Sequence, residues 1–223
     1  MRGSTMGKPR SMKALEELGR TRLSKSFFMR DFLYSEISNF YSIPNIPDDP
    51  DLAIAAGTNL CETLLEPLSD TFGGIAIRSA YRSREVNEFG NKHKLNCSTN
   101  EQSYADHIWD QRDADGYMGA TACIVVKWFL PEYEKTGDWR PLAWWIHDHL
   151  PYSEMDFFPK LAAFNLTWHE KPKKIIYSYA KPQKGYLTNP KMDNHGGDHS
   201  KYYQGFPKLK THPWTDLSMK NNK

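Results

Sequence analysis

Ala76-Ile77-Arg78-Ser79-Ala80-Tyr81-Arg82-Ser83-Arg84-Glu85-Val86-Asn87 is a strand-like run that ends in a polar turn with an arginine at its tip. What precedes it is helical. Apolar residues recur at helical spacing over Leu52-Phe72 (Leu60, Leu64, Leu65, Leu68), and Gly73-Gly74 supplies the stop. The pattern therefore predicts a helix, a short strand over Ile75-Ser79, and one or two helical turns over Arg84-Gly90 after the turn.

Further out, Phe27-Tyr41 carries a helical stripe (Phe28, Phe32, Ile37, Phe40) that stops before Pro44. After a loop over Asn91-Gln102, Ala120-Phe129 reads as a central strand and Leu142-His149 as a tryptophan-rich helix. Glu154-Lys160 reads as a helical turn. Phe164-Glu170 and Lys174-Tyr179 read as antiparallel strands joined at Lys171-Pro172-Lys173. Helices first and strands later make an α+β pattern with a small antiparallel sheet and flanking helices. Residues 1–25 are polar and basic, with a possible short helix around Met12-Leu18, and are expected to be an arm. Residues 26–180 form the domain, and 181–223 are expected to be an extended tail, so these two extensions are where a protein partner would bind.

Composition bounds the function. With 223 residues the chain can bury a substantial core, and a net charge of +2 is too small to imply a nucleic-acid partner. No apolar run approaches the roughly 20 residues of a membrane span, and the N-terminus lacks a signal-peptide core. A cytoplasmic or virion-associated product is expected. Cys61, Cys97 and Cys123 cannot all pair with one another, which leaves thiolate chemistry or plain burial.

Phe27-Tyr41, Asn45-Ile46-Pro47, Leu65-Glu66-Pro67-Leu68 and Ser79-Ala80-Tyr81-Arg82-Ser83 together resemble the LAS superfamily of zinc peptidases. These comprise the D-alanyl-D-alanine carboxypeptidases, vancomycin-resistance dipeptidases, phage L-alanyl-D-glutamate endolysins and the hedgehog signalling domain. The resemblance implies a hedgehog/D-Ala-D-Ala peptidase-like fold and a zinc metallopeptidase that acts on cell-wall peptides. It also implies Arg82, with Ser79 and Tyr81, as the grip on a peptide carrying a free carboxylate. A guanidinium suits that task because it takes a carboxylate in bidentate fashion.

The family draws zinc from a Ser-x-His-x-x-Gly-x-Ala-x-Asp segment and a histidine on a late strand. By that order the ligands here are His107, Cys123 in place of Asp, and His169, a set zinc accepts. Cys123 and His169 also admit simpler readings, as a buried core thiol and as the cap of a tryptophan-rich layer. The family's general base sits a few residues before the late histidine, but Lys160-Leu166 holds no carboxylate. Glu154, His147 and His149 are the substitutes, and a non-catalytic zinc-binding relative with a structural or assembly role, for instance in a phage particle, is the alternative. His147-Asp148-His149 could bind a second metal, although residues i and i+2 on a helix face apart. His195 and His199 have ligand-like spacing in a segment expected to be unstructured.

Overall fold

The computed structural model describes residues 6–210. Its strands are β1 (Ile75–Ser79), β2 (Gly119–Val126), β3 (Glu154–Phe157), β4 (Phe164–His169), β5 (Ile175–Ser178) and β6 (Gly185–Thr188). They form one mixed sheet in the order β1-β2-β4-β3-β5-β6, flanked by helices. All neighbours are antiparallel except β3 and β5.

Two expectations about this sheet are corrected. Glu154-Lys160 is not a helical turn. It supplies β3, which alternates half-buried Glu154 and Asp156 with buried Met155 and Phe157, then turns back into β4 through Leu161 and Ala162, both at positive φ. Nor do β4 and β5 pair: β3 lies between them and runs parallel to β5, so the sheet is mixed rather than antiparallel.

The expected long helix is present as α3 (Pro50–Leu60), a wider π turn over Cys61–Leu65, and α4 (Glu66–Phe72). Asp49 caps its start by accepting the Leu52 N–H at 3.1 Å. Gly73, at φ 79°, ends it in the left-handed region that glycine enters without strain. Phe27-Tyr41 is instead broken into a 3-10 turn over Met29–Phe32 and helix α2 (Glu36–Tyr41). Ser35 accepts the Ser38 N–H and so begins a new helix inside the predicted one.

The sheet's two faces differ. Ala120, Ala122, Ile124, Met155, Phe157, Phe164, Leu166 and Ile176 point to one side and are fully buried against Leu60, Leu64, Leu65 and Leu68. Each large apolar side chain so buried contributes about 1.5–3 kcal/mol. Helix α1 (Met12–Arg20), with Leu18, and the following Leu23 join this core, as does Leu187 of β6. Residues 12–23 and 185–188 thus belong to the folded body, whereas the sequence assigned them to an arm and a tail. Apolar residues spaced for a helix in α1, and the pairing of β6 with β5 that buries Leu187, account for the difference. Residues 1–5 and 211–223 of the expected extensions lie outside the described residues.

Segment 189–210 follows the body's surface. Helices α5 (Arg84–Lys92), α6 (Asn100–Ser103), α7 (Leu130–Thr136) and α8 (Arg140–His149) complete the set, and Trp145 on α8 donates its indole N–H to the Pro207 carbonyl at 3.0 Å, while the Lys210 N–H reaches the Thr71 hydroxyl at 3.2 Å. No helix among the described residues is long and apolar enough to cross a membrane.

Candidate functional site

The period of two that buries one face of the sheet turns the polar residues to the other. Thr121 and Cys123 of β2 stand opposite Thr167 and Asn165 of β4, which in turn stand opposite Glu154 and Asp156 of β3. The loop at Ala105-Asp106-His107 crosses this face. The Thr121 N–H donates to the Asp106 carbonyl at 3.0 Å, and the Thr121 hydroxyl bonds both the Asp106 carboxylate and the Thr167 hydroxyl. The turn after β1 is tied to the same loop, because the Arg82 N–H donates to the His107 carbonyl at 2.8 Å.

His107 is buried with Nδ1 2.8 Å from the Ala80 carbonyl, so Nδ1 carries the hydrogen of the neutral ring and Nε2 keeps its lone pair. Burial first, and then the Arg82 charge, pull its pKa down to about 4. Asp156 moves the other way: burial, then the carboxylates of Asp106 and Glu154, push it up to about 6. Asn165 hydrogen-bonds both groups. Arg82 donates Nη1 to the Cys97 sulfur at 2.7 Å, while its Nε is buried with no partner. Burial raises the Cys123 thiol to about 11 against the pull of Arg78 and Arg82, so it stays protonated at neutral pH. Ser79 is beside it and hydrogen-bonds it. Beyond Glu154 the same face opens into a cavity of about 610 Å³ lined by Asp113, Tyr117, His169, Lys173, Ile175 and Tyr186.

The expected zinc set is not brought together. In the β2–β4 register Cys123 faces Asn165, whereas His169 faces Gly119, four residues along. Four residues of strand span ~13 Å, and two donors on one zinc stand at most ~4.6 Å apart. His169 is otherwise engaged: Nε2 is 3.1 Å from the Asp113 carboxylate, and Nδ1 accepts the Lys171 N–H at 3.1 Å. Zinc held by His107, Cys123 and His169 does not fit this chain.

Other expected site residues also have settled roles. Tyr81 is fully buried, with its hydroxyl 3.2 Å from Asp110, and so holds the turn from beneath instead of meeting a ligand. Glu154 lies on the polar face, paired with Lys173 at 2.8 Å. His149 stacks on Trp145 and bonds that residue's carbonyl at 2.7 Å. His147 contacts the Tyr152 hydroxyl through Nδ1 and the His195 carbonyl through Nε2. Its neighbour Asp148 and the distant His199 complete a group whose ligand atoms lie within 4.8 Å of one another, close enough to hold a metal ion. The residue the sequence reading missed is Asp156, and its signal was the alternation in Glu154-Met155-Asp156-Phe157.

The opposed shifts of His107 and Asp156 make a prediction. Between about pH 4 and 6.5 the unfolded chain protonates His107 and the folded one does not, so this stability is complete above 6.5 and fades as pH falls. Asp156, held at about 6, takes up its proton on the folded side first, so its contribution grows as pH falls through 6. The two slopes offset each other near pH 5–6. In Asp156→Asn the His107 slope stands alone, and urea melts at pH 6 and pH 5 should show stability falling by about 1 kcal/mol more than in wild type. Equal losses in both proteins would contradict the assignment.

Comparison of the chain with protein-family models, curated proteins and solved structures finds no match.

Proposed function

We propose that this protein is a divergent, non-hydrolytic relative of the LAS peptidases that binds short peptides of the cell-wall type by their free ends. The observation that carries this reading is the pairing of a cationic corner with an acidic one across the polar sheet face. Arg82 has a buried Nε with no partner, and its charge, with that of Arg78, reaches Cys123. Glu154 and Asp156 stand on β3, two strands from Cys123 and three from β1, which leads to Arg82, with Asp106 close enough to raise the Asp156 pKa. From Cys123, where the Arg82 charge is felt, two strand spacings are ~10 Å, close to the length of an extended peptide of two or three residues. A carboxylate at Arg82 and an ammonium at the acidic group would each meet its opposite charge. The Asn165 amide lies between them to bond the peptide group, and the cavity beyond Glu154 takes a longer chain.

Binding without hydrolysis is favoured because the zinc triad of the resemblance is split along β2 and β4. The assembly role then rests on recognition alone. Calorimetry with D-Ala-D-Ala, its C-terminal amide and its N-acetyl derivative tests the reading. Each modification should weaken binding at least tenfold, or about 1.4 kcal/mol, and none of the three should be cleaved. Equal affinity for acid and amide would overturn the reading, and release of free alanine would restore the peptidase.

A further inference from the structure

The group on α8 stands apart from the polar sheet face and asks for a cation. His199 places Nδ1 2.7 Å from Asp148 Oδ1 and Nε2 2.9 Å from the Asn194 carbonyl. Both partners are acceptors, and a metal ion on Nδ1 with the ring hydrogen on Nε2 would satisfy both at once. Asp148 is held to face it by the Tyr203 hydroxyl at 2.8 Å and the His199 N–H at 3.1 Å, both on Oδ2, leaving Oδ1 to the ring. His147 is the residue before Asp148 on the same helix. Its Nε2 faces the His195 carbonyl and carries the ring hydrogen, and Nδ1 takes the Tyr152 hydroxyl. The rings of His147 and His199 are 5.3 Å apart, and His199 lies flat on Trp144 at 4.0 Å, which fixes its plane. A cavity of about 410 Å³ bounded by His147, Asp148, Asp198 and Tyr203 gives water access.

We propose that His147, Asp148 and His199 bind one zinc ion, which fastens segment 189–203 to α8. Two imidazoles and a carboxylate are a donor set zinc takes readily, and three protein ligands leave a fourth position for water from the cavity. The ion replaces the proton between His199 and Asp148. The two atoms then part by roughly half an ångström, since donors ~2.0–2.2 Å from zinc stand a little over 3 Å apart. His147 gives up its bond to the His195 carbonyl, and its ring hydrogen moves to Nδ1, which then donates to the Tyr152 hydroxyl. Hard ions such as magnesium prefer all-oxygen shells and are excluded by the imidazoles.

The test uses the full chain stripped with a chelator and titrated with cobalt(II), read by visible absorption, and then with zinc, read by thermal melting. One equivalent of cobalt should give ligand-field bands that zinc abolishes, and zinc at a hundredfold excess over its Kd should raise Tm by about 5–10 °C. Asp148→Asn and His199→Gln should lose both signals, while Cys123→Ser and His169→Gln keep them. Absent signals in wild type, or signals that survive Asp148→Asn, would overturn the site. If His199→Gln does not fold, Asp148→Asn decides, since it preserves side-chain shape. Loss of binding in Cys123→Ser would instead return the metal to the sheet face.

Discussion

Gly119→Ala should cost about 4 kcal/mol or more and release the loop that carries His107. A Cβ built on Gly119 would stand 1.9 Å from the Ala105 carbonyl oxygen and 2.8 Å from the His169 ring. The first neighbour is backbone, in a residue already at φ 53°, and its loop is pinned on both sides by Thr121 and Arg82. It cannot swing aside as a side-chain tip would, so either β2 shifts or the Asp106–Thr121 and His107–Arg82 bonds break. Overpacking of a yielding core costs about 1–3 kcal/mol, and the hydrogen bonds lost here add about 1 kcal/mol each. Gly137→Ala is the contrast: its φ of 67° strains any side chain, but no atom lies within 4 Å of the new Cβ. That change should cost about 1 kcal/mol. Denaturant melts of the two variants give the comparison, and similar losses would mean that the loop does not lie on the strand as described.

This contact also shows what a single sequence conveys of such a site. The strand over Ala120-Phe129 and His107 before it were both named from the order of residues, the strand by its apolar run and the histidine by the family resemblance. The register was not. His169 was assigned to zinc by its rank along the chain, yet backbone pairing puts Asn165 opposite Cys123, and nothing local specifies which of two residues four apart faces a given partner. β3 was misread because it is four residues long, and four residues give a helical and an alternating pattern almost equal support. Glu154 of β3 was singled out from the sequence, but Asp156, two residues on along the same face of that strand, was not.

The histidine group illustrates a different limit. His147 and His149 do face apart, as helical geometry requires. The partner for His147 and Asp148 comes from 51 residues later, in a segment with no period at all. That segment is held by bonds from side chains to backbone, such as Asn194 to the Leu187 carbonyl and Ser200 to Asp198, and by Trp144 beneath His199. Polar composition signals such a segment as loose only when nothing binds its backbone groups.

Arg82→Ala should reduce affinity for a free-acid dipeptide by about 2–5 kcal/mol, roughly 30- to 5000-fold, while the fold survives. The fold survives because what ties Arg82 to the body is its main chain: the N–H on the His107 carbonyl remains in alanine. The side chain adds one bond, to the Cys97 sulfur, and leaves Nε unpaired. An unpaired buried donor is a cost in the free protein that a bound carboxylate would remove, so the guanidinium favours the complex twice, by attraction and by relief. Arg82→Lys keeps the charge without the fork and should recover part of the loss, whereas charge alone would make lysine equivalent. Asp156→Asn separates the two ends of the cleft, since it should weaken a free dipeptide but not its N-acetyl derivative. If Arg82→Ala binds the acid as tightly as wild type does, Arg82 is a structural prop for the Cys97 loop, and the cationic corner is not a grip.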